Sequence, residues 1–162
     1  MNRIPFGRTF PDPSCTNIFI DSCAFDPNYE PETTAANYLK SLYESGKINL
    51  LIAHSTAKEL EHPNVPTLIK REAQGRIRSF EVTLTEGEIR LKQRILETLT
   101  GNGKPENMLQ DAEHIFEAQK YGSYFVTVHK GILRKADGFE KLCGGLIVLL
   151  PSAFLSLLEG YT

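Results

Sequence analysis

The sequence has no C-x-x-C pair, no H-E-x-x-H or H-x-H spacing, no apolar run long enough for a bilayer and no marked excess of either charge. Its three cysteines, Cys15, Cys23 and Cys143, are an odd number without metal-ligand spacing. That argues against a disulfide framework and a structural zinc site, and fits reduced thiols in a cytoplasm. The four histidines, His54, His62, His114 and His129, each read alone as a surface or satisfied histidine. The longest apolar run, Leu146 to Leu150, is far short of the roughly 20 residues a membrane helix needs, so no membrane partner is expected. Pro5, Pro11 and Pro13 interrupt the amino terminus and no apolar stretch follows Arg3, so no signal peptide is expected either. With 18 Lys and Arg against 20 Asp and Glu the net charge is −2. Any contact with a polyanion must therefore come from a local patch.

What is present points to one α/β domain. The chain has 162 residues, 41% hydrophobic and 23% charged, the composition of a soluble globular protein. Residues 1–17 form a Pro-rich, irregular lead-in, and 18–162 read as a single domain. Short β-branched or apolar runs predict strands at about 18–21, 48–53, 124–127 and 146–150, with a shorter extended segment at 80–84. Between them, periodicity and caps predict helices at about 34–45, 55–61, 65–79, 85–99, 108–120 and 130–142. A final helix starts at Pro151. Thr85 with Glu88 forms a capping box, and Gly46 ends the helix before it. Strands alternating with helices imply a mainly parallel central sheet with helices on both faces.

The acids fall at suggestive places. Asp21 ends the first strand, where ligands of open α/β sheets bind, although an Asp there also simply caps a helix. Glu59 and Glu61 lie on the short helix after the second strand, about 200° apart, so only one can face a given site. On the helix at 108–120, Leu109, Ala112, Ile115, Phe116 and Gln119 make an apolar stripe with Asp111 on its flank. Glu113 and Glu117 turn toward solvent.

"IFIDSCAF", "STAKEL", "LQDAEHIFEAQKYGSYFVT" and "LIVLLPSAFLSLLEG", in that order, resemble the segments of the PIN domains, metal-dependent nucleases with a compact parallel α/β fold. The resemblance implies that Asp21, Glu59 and Asp111 are metal ligands for Mg²⁺ or Mn²⁺, with Thr127 a polar neighbour. Such an ion would orient water against a phosphodiester and neutralise developing charge. Family members usually carry a further acid after the threonine, and here "TVHKGIL" has His129 in its place. Imidazole suits Mn²⁺ better than Mg²⁺. His129 is thus the fourth candidate ligand, and equally the reason to weigh a non-catalytic PIN-like domain that binds RNA or a protein.

Basic residues supply a second line. Arg76, Arg78 and Arg90 belong to a basic stretch at 70–94, and Lys130 and Arg134 lie just beyond the strand that ends in Thr127. They read either as a solvated helix face or as the rim along which an RNA backbone passes. Many PIN domains are toxins neutralised by a partner, so the resemblance admits an antitoxin protein, and also a homodimer. Rival chemistries fit less well. "GNGK" is followed by Pro105 where a phosphate loop needs Ser or Thr, there is no G-x-S-x-G elbow, and Cys23 stands where a haloacid-dehalogenase-type phosphatase has its second Asp.

Overall fold

The structure, a computed structural model, describes residues 10–53 and 83–161. The predicted helices at 55–61 and 65–79 lie outside these residues, as does most of the extended segment at 80–84, of which Thr83 and Leu84 have no strand character. Four strands are described, β1 (Asn17–Ile20), β2 (Asn49–Leu51), β3 (Tyr124–Val126) and β4 (Ile147–Leu149). All pair in parallel, in the order β2-β1-β3-β4. The expected α/β class with a parallel sheet is what forms.

Register explains how so short a sheet makes two cores. Leu50, Ile18, Tyr124 and Ile147 stand side by side across the four strands, and so do Leu51, Phe19, Phe125 and Val148. Because side chains alternate along a strand, the first row faces one side and the second row the other. Around the first row pack α1 (Ser22–Phe25), α2 (Glu32–Glu44) and, from the carboxyl end, Phe154. Around the second pack α3 (Glu86–Thr100), α4 (Leu109–Tyr121), α5 (Lys130–Leu133) and α6 (Ala136–Leu142). Phe154 belongs to α7 (Pro151–Glu159), which begins on its proline as the sequence predicts.

Local chemistry sets the helix ends. Thr85 accepts from the Glu88 N–H at 3.2 Å while the Glu88 carboxylate accepts from the Thr85 N–H at 3.1 Å, the complete capping box of α3. The start of α7 has no side-chain cap of its own. Glu32 provides one from α2, accepting from the Ser152 N–H at 2.8 Å and its hydroxyl at 2.7 Å. That buried carboxylate belongs to the fold and is accounted for there.

Two expectations need correction. The single helix over 130–142 is two, because the backbone leaves helical geometry at Lys135 (φ −110°, ψ 14°). From there the Lys135 ammonium donates to the Thr98 and Leu99 carbonyls, the latter at 2.9 Å, capping the end of α3. Leu109, placed on the apolar stripe of α4, is exposed, and His114 and Ala118 are buried instead. It is the first residue of the helix and lies beyond the edge of the core.

The order of strands creates the crevice. From β1 the chain crosses to β2 on one side, then passes over to β3 on β1's other side. Connections leave β1 and β3 in opposite directions, and ligands of open α/β sheets bind at such a switch point, outside the carboxyl ends of the strands. Gly122 holds the two strands at this distance: a Cβ there would meet the Asn17 carbonyl oxygen at 2.6 Å and the Phe19 ring at 2.9 Å. Gly122→Ala should therefore destabilise the fold by about 1–3 kcal/mol, read as a lower urea midpoint. An unchanged midpoint would show that β1 and β3 have slack at this end.

Candidate functional site

Asp21 follows β1 and Thr127 follows β3, and backbone bonds extend the sheet to hold both. The Asp21 N–H donates to the Val126 carbonyl at 2.8 Å, and the Thr127 N–H to that of Leu149 at 3.0 Å. Asp21 is only 5% exposed. An ionised carboxylate so placed costs several kcal/mol unless donors surround it. Its Oδ1 accepts from the Ser22 N–H at 2.9 Å, making Asp21 the N-cap of α1. Its Oδ2 accepts from the Thr127 hydroxyl at 3.0 Å and the Cys23 thiol at 3.3 Å. The His114 Nδ1 lies 3.5 Å from Oδ1. Burial pushes the Asp21 carboxyl upward, but His114, Cys23 and Thr127 together outweigh it and hold the group below its ordinary value.

Asp111 responds in the opposite direction. It sits in the first turn of α4, partly buried, and burial followed by the nearby charge of Asp21 raises its carboxyl, against the lowering influence of His129 and His114. The His129 Nε2 lies 3.7 Å from Asp111 Oδ2. His129 is itself the N-cap of α5: its Nδ1 accepts from the Ile132 N–H at 3.3 Å. Its own N–H donates to the Thr127 hydroxyl oxygen at 3.0 Å. Thr127 thus receives from the loop after β3 and donates to the acid after β1.

The structure gathers Asp21, Asp111, Thr127 and His129 at the switch point. Glu59, Arg76 and Arg78 lie outside the described residues. Lys130 follows His129 directly and Arg134 is one turn further on, both exposed. Arg90 is on another element, α3, where it lines a groove of about 290 Å³ with Gly87, Leu91, Arg94 and Leu142.

Two members of the site escaped the sequence reading. His114, 1% exposed, is three residues beyond Asp111 and shares its helix face. The D-x-x-H spacing was the available signal, had α4 been read as enclosed rather than flanked by solvent. Cys23 has exposed surface as a residue, yet burial of its sulfur and the charge of Asp21 push the thiol up to about 12. It stays protonated and acts as a donor, not as a thiolate nucleophile.

Carboxylate oxygens are the chemistry of a hard divalent cation, and such a cation would offset both the burial of Asp111 and the nearby charge of Asp21 that raise its carboxyl. Among the described residues, however, no three His, Cys, Asp or Glu side chains are grouped to hold an ion. They offer a carboxylate pair with attendant donors. No protein-family model, no curated protein and no solved structure matches the chain.

The Thr127 hydroxyl supports a charge, so its removal should depend on pH. The folded Asp21 carboxyl lies below its ordinary 3.8, so its ionised form contributes stability above about pH 4 that fades as pH falls through the folded value. Thr127→Val should cost about 1–3 kcal/mol near neutral pH, and the loss should shrink in that acid window. Urea unfolding at both ends of the range reads this. An equal loss at both would mean that the hydroxyl does not act through the charge of Asp21.

Proposed function

We propose that the chain is a divalent-metal-dependent ribonuclease of PIN-domain type. The observation that carries this reading is the pair of acids at the switch point, Asp21 held ionised by the donors of Ser22, Cys23 and Thr127, and Asp111 beside His129, raised by burial and then by the charge of Asp21. Asp21 and Asp111, with Glu59 as the expected third acid, would hold Mg²⁺ or Mn²⁺. When bound, the ion supplies Lewis-acid charge for the attack of water on a phosphodiester. Thr127 keeps Asp21 oriented. Lys130 and Arg134, exposed beside the site, suit the phosphates of a single RNA strand. A cytoplasmic setting, and neutralisation by an antitoxin protein or pairing with a second copy, belong to the same reading.

The alternative, a PIN-like domain that binds RNA or a protein without cutting, has its own support. Both oxygens of Asp21 already accept hydrogen bonds, and a histidine occupies the position of the usual further acid.

Asp111→Asn separates the two. A carboxyl raised in the folded state costs the fold stability as pH rises from the ordinary value through the folded one, because its ionised form is disfavoured by the fold. Without added cation the amide should stabilise the protein by about 0.5–1 kcal/mol, or roughly 1–4 °C in Tm. With Mg²⁺ or Mn²⁺ the unmodified chain should cut single-stranded RNA. The variant should lose at least about a hundredfold, the scale of removing one electrostatic group from an active site. An unmodified chain that cuts no RNA with either ion would establish the non-catalytic reading.

A further inference from the structure

We propose that His129 presents a protonated nitrogen, Nε2–H, to an anionic oxygen of a bound phosphoester, and not a lone pair to the cation. The inference rests on the phosphodiester reading above and changes the role that the sequence assigned to this residue. Its ground is the hydrogen bond at the other side of the ring. The Ile132 N–H is shared between the His129 carbonyl at 3.1 Å and Nδ1 at 3.3 Å. A backbone N–H can only donate, so Nδ1 holds its lone pair. A neutral imidazole carries one N–H, which is then on Nε2.

The surroundings fix the place of the ring. The backbone N–H of His129 is fixed on the Thr127 hydroxyl at 3.0 Å, and that hydroxyl's own proton is directed to Asp21. Position 131 is glycine, and a Cβ there would meet Cε1 of the His129 ring at 3.0 Å and Nδ1 at 3.2 Å. To ligate a cation through Nε2, the proton would have to move to Nδ1. Two N–H groups would then face each other, and the Ile132 N–H would keep only the His129 carbonyl, at 3.1 Å.

The outward side of the ring is open. The His129 side chain is 42% exposed, and its Nε2 lies 3.7 Å from Asp111 Oδ2, longer than a direct hydrogen bond. The two groups differ in kind: Asp111 offers electron pairs and suits a cation, whereas Nε2–H suits an oxygen that carries charge and no proton. A phosphoester is such a ligand, and the exposed Lys130 beside it adds a charge of the same preference.

Nitrogen-15 NMR of the histidine rings in the whole chain tests this, in buffer about two units above the ordinary imidazole value of about 6.5. His129→Asn assigns the signals and keeps a residue that caps helices well. The expected result in cation-free protein is the Nε2–H form, unchanged by Mg²⁺ and shifted by inorganic phosphate added with Mg²⁺. In titrations, His129→Asn should keep its Mg²⁺ affinity within about twofold and lose about tenfold or more in phosphate affinity, the worth of one charge-assisted hydrogen bond. An Nδ1–H form, loss of the Nε2 proton on adding Mg²⁺, a tenfold fall in the variant's Mg²⁺ affinity or an absent phosphate response would each overturn the assignment. Since the ring form is read before any cation is added, a chain that cuts no RNA defeats the nuclease reading without deciding this result.

Discussion

A carboxylate that is 5% exposed governs this end of the molecule. Left without donors, ionised Asp21 would cost more than a typical single mutation removes from a domain's stability. The fold meets that cost with groups from three places: the Ser22 N–H and Cys23 thiol beyond β1, the Thr127 hydroxyl beyond β3 and His114 on α4. The parallel register of β1 against β3 puts Thr127 beside Asp21, and Gly122 permits that register at its other end. Fold and site therefore share one set of constraints.

Much of the architecture was legible because its causes are local. The capping box at Thr85 and Glu88, the proline that opens α7 and the four apolar runs act within a few residues, and each formed where the sequence placed it. The break at Lys135 was not legible, since its ammonium acts on carbonyls of a helix 36 and 37 residues earlier. Glu32 was passed over for the same reason, its partner Ser152 being 120 residues away. Asp21, Thr127 and Asp111 could be named from strand ends and a helix flank. His114 could not, because its burial depends on α4 being enclosed on a side that periodicity alone had given to solvent.

The site joins two opposite electrostatic conditions. Asp21 is surrounded by donors and stays charged; Asp111 is raised by burial and then by that charge, which His129 and His114 offset only in part. Local conflicts of this kind persist in proteins chiefly where a ligand resolves them. A divalent cation would resolve this one.

The most direct measurement is the titration of the two aspartates by carbon-13 NMR of their carboxyl groups, without divalent cation and again with Mg²⁺. The account predicts Asp21 below the ordinary aspartate value and Asp111 above it, with Asp111 falling when Mg²⁺ is added. An Asp111 that titrates at or below the ordinary value, and does not respond to Mg²⁺, would show that the two carboxylates do not share a site.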